Sequence, residues 1–131
     1  MTVAYFHGTC EPNSDGGEMA YATVIYEGSN EIHSCYHMHF RDDDIASNNI
    51  SSYVGFIAAL KYLKSTGRDL RDSTIYGSSS LVIEQMKGTW IIKEGKYKEY
   101  ANYALDLYHS FKCKPTLFLI KKDNNYARWE L

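Results

Sequence analysis

"FHGTCEPNSDGG", residues 6–17, is the stretch whose reading decides the fold. It continues a short apolar run, "VAYFH" (3–7), which stops at Gly8. An apolar run closed by a glycine reads as a buried strand. Pro12, Asn13, Asp15, Gly16 and Gly17 then make a turn cluster, because these residues accept the tight or left-handed backbone that a reversal needs. The residue at the strand end is His7, where many enzymes place their most important acid.

Working outward, "MAYATVIYEG" (19–28) alternates and is rich in β-branched and aromatic residues, so it predicts a second strand. Glu27–Asn30 is a tight turn, and "EIHSCYHMHF" (31–40) alternates again, which closes a hairpin. "RDDDIASNN" (41–49) is polar and ends in residues that cap helices well, Asn49 among them. Tyr53, Phe56, Ile57, Leu60 and Leu63 recur at helical spacing, which predicts a helix from about 49 to 65, stopped by Gly67. "STIYG" (73–77) is a fourth strand, and "SSSLVIEQMKG" (78–88) a short helix opened by a serine cap. Tyr97, Tyr100, Ala101, Ala104, Leu105 and Tyr108 mark a third helix running to about Phe111, with "PTLFLI" (115–120) the last strand. The order β-β-β-α-β-α-α-β predicts an α/β architecture: a five-stranded mixed sheet with helices packed on it, in one domain spanning 1–131.

The gross numbers agree with that class. The chain has 131 residues, 44% hydrophobic and 23% charged, as in a soluble globular protein. No apolar run is long enough to cross a bilayer, and the first residues lack the pattern of a signal peptide. Cys10, Cys35 and Cys113 are odd in number and without CxxC spacing, so we expect reduced thiols in an intracellular, cytoplasmic or nuclear, protein. The net charge of −2 is uneven. Residues 1–60 hold one basic residue and eight acids, a balance of −7, whereas residues 61–131 hold thirteen basic residues and eight acids, a balance of +5. A basic second half suits an anionic partner, or simply reflects solvated helix faces of different sign.

Four stretches together resemble the type 1 ribonuclease H family, archaeal-like branch. "FHGTCEPNSDGG" resembles its D-G-x-C strand and N-P-G-P-G-G turn, keeping Gly8, Cys10, Asn13, Gly16 and Gly17. "NNISSYVGFIAALKYL" resembles its N-N-R-A-E-L helix, with Asn48 and Asn49 kept. "IYGSSSLVIEQMKGTW" resembles its Y-T-D-S strand and following helix, and "IKKDNNYARWEL" its last strand and P-R-E-x-N-x-x-A-D turn, with Asn124 and Ala127 kept. The resemblance covers essentially the whole chain and implies the ribonuclease H-like fold. It also implies cleavage of the RNA strand of RNA–DNA hybrids by two Mg²⁺ ions held on four carboxylates.

Those four carboxylate positions fall here on His7, Ser52, Gly77 and Arg128. At 4 Å a unit charge pair interacts by about 4 kcal/mol at an effective dielectric of 20, and a dication doubles this to about 8. At position 128 that attraction has become a repulsion. We therefore expect no Mg²⁺, no catalytic residue and no other cofactor. His7 and Arg128 could instead form an anion site the size of a phosphate, the alternative being that both positions drifted after the carboxylates were lost.

By the same resemblance Asn13 and Asn49 match positions that contact the hybrid, although a turn and a helix cap explain them equally well. With Ser79 and the basic set Lys87, Lys93, Lys96 and Lys98, around the entry to the third helix, they make up the expected nucleic-acid contacts. His33, Cys35, His37 and His39 alternate on one strand with metal-ligating chemistry, but a flat strand rarely wraps an ion alone. Tyr97, Tyr100 and Tyr108 are expected in the core or at its rim before they stack on bases.

Family members continue past this point into a C-terminal helix covering the second sheet face, whereas this sequence ends at Leu131. A truncated C-terminal helix predicts an exposed apolar face holding part of the set Val3, Tyr5, Tyr21, Val24, Ile25, Leu117 and Leu119, with Trp129 at its rim. A patch of about 500 Å² would forgo on the order of 12 kcal/mol of burial, which favours a homodimer or a larger assembly. Three roles follow: a catalytically silent hybrid- or duplex-binding module, a protein–protein scaffold, and an active nuclease with a rebuilt site. Loss of all four carboxylates weighs against the third.

Overall fold

The computed structural model describes residues 1–13, 17–40 and 47–130. Asp15, Gly16, the Asp42–Asp44 run and Leu131, all named above, lie outside the described residues, as do the side chains of His39 and Trp129. The elements are β1 (Thr2–Glu11), β2 (Glu18–Glu27), β3 (Asn30–Phe40), α1 (Asn48–Ser65), β4 (Ser73–Gly77), α2 (Ser80–Lys87), α3 (Lys98–His109) and β5 (Thr116–Leu119). Short 3₁₀ turns follow at Lys122–Asn124 and Tyr126–Glu130. The sheet order is β3-β2-β1-β4-β5. β1, β2 and β3 are antiparallel, while β4 runs parallel to β1 and β5 parallel to β4.

β1 runs four residues past the predicted end at His7, through Glu11. It holds β2 from Thr2↔Glu27 to Glu11↔Glu18, but pairs with β4 only from Thr2 to Phe6. One neighbour suffices to keep the strand extended, so Gly8 does not end it. The glycine serves another purpose. A Cβ at Gly8 would lie 2.3 Å from the Ser52 backbone nitrogen and 2.4 Å from the Ser51 carbonyl carbon. A Cβ at Gly55, on the facing side of α1, would lie 3.2 Å from the His7 carbonyl oxygen, a looser but still tight approach. These two glycines let α1 lie backbone against backbone on β1.

α1 buries Ile50, Tyr53, Phe56, Ile57, Leu60 and Leu63. Its cap is Ser47, whose side chain accepts from the Ile50 amide at 3.1 Å. The expected cap, Asn49, is instead inside the first turn and exposed. Thr66 and Gly67, the latter at φ +77°, end the helix. The main core joins Ala4 and Phe6 of β1, Ile25 of β2, Ile75 of β4 and Leu117 of β5 to α1, α2 and α3.

The second sheet face is not left bare as expected. The Tyr126–Glu130 turn crosses it and buries Ala127 against Ala22 and Val24. Ile25 and Leu117 belong to the other face, in the main core. What the second face carries is a row of aromatic rings across the strands. Tyr5 stacks on Tyr76 at 5.2 Å and Tyr76 on Phe118 at 5.6 Å. Tyr126 lies 4.8 Å from Tyr5, and Tyr26 meets Tyr5 edge-on at 6.1 Å. No helix among the described residues is long and apolar enough to cross a membrane.

Candidate nucleic-acid interface

β1 continues towards β2 and β4 towards β5, so the sheet's connections diverge between β1 and β4. Ligands of open α/β sheets bind at such a point, outside the carboxyl ends of the strands. An open groove of about 520 Å³ lies there. It is lined by His7, Gly8 and Thr9 from β1, Asn48, Asn49 and Ser52 from α1, Ser78–Leu81 from the start of α2, and Leu119–Lys122 after β5. Of the four residues expected at the family's carboxylate positions, His7 and Ser52 line the groove. Gly77 and Arg128 are not among the residues that line it.

Phe6 and Gly77 are direct neighbours across β1 and β4. A Cβ at Gly77 would fall 2.3 Å from the Phe6 ring, which is 1% exposed. The phenyl ring thus fills the volume an acidic side chain at position 77 would need.

His7 is 7% exposed, and its Nδ1 lies 3.4 Å from the Ser78 hydroxyl. Its Nε2 has no hydrogen-bond partner among the described residues. Burial, with the charges of Lys122 and Arg128, lowers its pKa to about 4, so the ring is neutral at physiological pH. Asn125 holds these groups in place. It is fully buried and donates to the Phe6 carbonyl at 2.8 Å and to the Ser78 hydroxyl at 3.3 Å, while its Oδ1 accepts from the Ala127 amide. This one side chain ties the segment bearing Lys122 and Arg128 to the middle of β1 and to the residue that follows β4. Arg128 is ion-paired with exposed Asp123.

Sequence reasoning missed Lys122 and Asn125. The signal was the "KKDNN" run directly after the last strand, where Asn124, the residue matched to the family motif, proves exposed and its neighbour buried.

Asn13 does not face the groove. Its Oδ1 accepts from the Asn48 amide at 2.8 Å, and the Asn48 Oδ1 accepts from the Cys10 amide at 2.6 Å. The pair clasps the turn after β1 to the start of α1. Asn49 lines the groove. So does Ser79, which caps α2 by accepting from the Val82 amide.

Leu81 also lines a second groove, of about 530 Å³, with Gln85, Thr89, Trp90, Ile91, Lys93 and Tyr97. Trp90 is 48% exposed there. The Tyr97 hydroxyl accepts from Gln85 Nε2 and from the Lys93 amide, which fixes the loop carrying Trp90. Of the four expected lysines, Lys93 alone lines this groove; Lys98 is paired with Glu94, and Lys87 and Lys96 are exposed on the surrounding surface. Tyr97, Tyr100 and Tyr108 pack half-buried on the core. On β3, His33 stacks on Tyr62 at 4.1 Å. No group of three or more His, Cys, Asp or Glu side chains is placed to share an ion among the described residues.

No family model matches the chain. The uncharacterized protein YpeP of Bacillus subtilis (strain 168) is 25% identical over 126 residues, which is 95% of this chain and 54% of YpeP. The chain therefore spans about half the length of that relative. LC11-RNase H1, solved in complex with an RNA/DNA hybrid, is 22% identical and matches at a TM-score of 0.83 over 100% of this chain and 93% of its own. RNase H1 from the halophilic archaeon Halobacterium salinarum NRC-1 is 24% identical and matches at 0.82, over 99% of this chain and 92% of its own. The chain has the ribonuclease H fold, and the structures it matches at TM-scores of 0.80 to 0.83 are type 1 ribonuclease H domains.

Proposed function

We propose that residues 1–131 form a nucleic-acid-binding domain that engages RNA–DNA hybrid, or a related duplex, and does not hydrolyse it by a two-metal route. The observation that supports this best is the set of groups at the ends of β1 and β4. At the positions that the sequence resemblance assigns to carboxylates are an imidazole, a hydroxyl, a glycine covered by Phe6 and a guanidinium, and Lys122 lines the same groove as the imidazole. This set does not fit Mg²⁺, which takes hard oxygen ligands in octahedral geometry. The charges of Lys122 and Arg128, which add to burial in lowering the His7 pKa, would repel a dication more strongly than a proton. The same cations favour phosphate.

The two grooves, which share Leu81, offer a strand hydroxyls, amides and Lys122 in the first and Trp90 and Lys93 in the second. Unpaired Cys10, Cys35 and Cys113 belong with an intracellular location, which is part of the proposal. A mobility shift with hybrid across a salt series tests it. Binding that weakens linearly in log salt, with the RNA intact, is expected.

A second role, as an assembly module, is favoured by the aromatic face. Phe118 and Tyr126 are 46% and 50% exposed there, beside half-buried Tyr5, Tyr26 and Tyr76. Self-association through this face would give a homodimer, and light scattering at micromolar concentration separates that from a monomer.

A further inference from the structure

The proposed nucleic-acid role leaves open what replaces the metal ions at the ends of β1 and β4. We infer that this groove binds a backbone phosphate directly, with His7 Nε2, the Lys122 ammonium and the first-turn amides of α2 as donors, and no metal between them. The inference rests on the nucleic-acid-binding function proposed above and assigns the contact at its centre.

The donors converge from three elements. His7 and Lys122 line the same groove. His7 Nδ1 lies against the Ser78 hydroxyl, which leaves Nε2 as the ring's remaining polar atom, without a partner among the described residues. α2 starts at Ser80, and the Val82 amide is already taken by the Ser79 side chain. The amides of Ser80 and Leu81 then have no intrahelical acceptor, and both residues line the groove. A helix of eight residues contributes its partial positive charge at the same place. Here it adds to a buried imidazole and a lysine, so the site does not depend on the helix alone.

The arrangement also fixes how binding responds to pH. The charged groups facing His7 are Lys122, from the turn after β5, and Arg128, from the last turn and paired with Asp123. Both repel a proton on the ring. A phosphate seated among them offsets that repulsion and makes the imidazolium the better donor. Binding therefore takes up a proton, and affinity rises as pH falls towards the free-state pKa of His7, about 4.

The test follows the His7 ring by NMR while pH is varied, with and without inorganic sulfate, which stays dianionic across this range. Sulfate is expected to raise the His7 pKa by about one unit or more. Lys122→Gln, at an exposed position, is expected to weaken sulfate binding about tenfold while the fold is kept. A His7 pKa unmoved by saturating sulfate, or equal sulfate binding in the Lys122→Gln variant, would overturn the inference. A hybrid mobility shift in parallel separates the two claims. Hybrid bound equally by wild type and Lys122→Gln, with no sulfate effect, removes the phosphate site and leaves the nucleic-acid role standing. A sulfate-dependent His7 shift without any hybrid binding keeps the site and removes the role.

Discussion

The Phe6 ring occupies the space in front of Gly77: the two residues are paired across β1 and β4, and a Cβ at position 77 would lie 2.3 Å from the ring. Packing thus leaves no room for a side chain at position 77. Gly77→Ala should destabilise the domain by about 3 kcal/mol, the range for overpacking a filled core. Phe6→Ala should cost about 4 kcal/mol on its own. In the Phe6→Ala background Gly77→Ala should then cost far less, because the clash is gone. Urea unfolding of the four proteins checks this; additive losses would mean that the ring is not the obstacle.

Gly8 should tolerate alanine even less well. Its neighbours are the backbone atoms of Ser51 and Ser52, which cannot rotate away as a side chain can. Gly8→Ala should separate β1 from α1 and cost at least about 3 kcal/mol. Thermal unfolding read by circular dichroism gives the result. Unchanged stability would refute the close approach of the two backbones.

Stability should rise with pH between about 4 and the ordinary histidine value. Burial and the cations Lys122 and Arg128 depress the His7 pKa to about 4 in the folded state, so in this interval the unfolded chain binds more protons than the native one. The native state is therefore penalised increasingly as pH falls through the window, and the full penalty is present below the folded pKa. Allowing for solvent screening at the groove mouth, the change is on the order of 2 kcal/mol. His7→Gln should flatten the slope in the upper part of the window. At the acid end Glu27, whose pKa is lowered to about 2 by its bonds from Thr2, the Met1 ammonium and Arg68, adds a loss of the same sign that His7→Gln does not remove.

Asn125→Ala should cost about 2–3 kcal/mol, since it strands the Phe6 carbonyl and frees the segment that carries Lys122 and Arg128. Amide exchange should show the loss of protection confined largely to the residues after β5. A uniform loss across the sheet would mean that Asn125 supports the whole core and has no special hold on this segment.

Among the surface lysines, Lys93→Gln should reduce the slope of log affinity for hybrid against log salt by about 1. Lys98→Gln should reduce it less, because Lys98 is already paired with Glu94. Equal effects would place the strand on α3, away from the Trp90 groove.

Much of this architecture was legible in the residues. The strands announce themselves by alternation, and α1 by the spacing of Tyr53, Phe56, Leu60 and Leu63, because each buries one face. The extension of β1 to Glu11 was not legible: past Gly8 the strand is held by β2 alone, and its composition there is polar. The role of Gly8 depends on which backbone lies opposite it, and that of Phe6 on a register between strands far apart in sequence. Lys122 and Asn125 were hidden for a similar reason. A basic pair and two asparagines after a strand read as a solvated turn, and only the return of that turn across the ends of β1 and β4 brings them to the groove.

The most direct measurement of the central claim is a gel assay of an end-labelled RNA–DNA hybrid with the purified protein in Mg²⁺ or Mn²⁺, read natively for binding and under denaturing conditions for the RNA. A retarded hybrid whose RNA remains full length, with retardation lost as salt rises, is the predicted result. RNA cleavage that requires the metal ion and stops on chelation would contradict it.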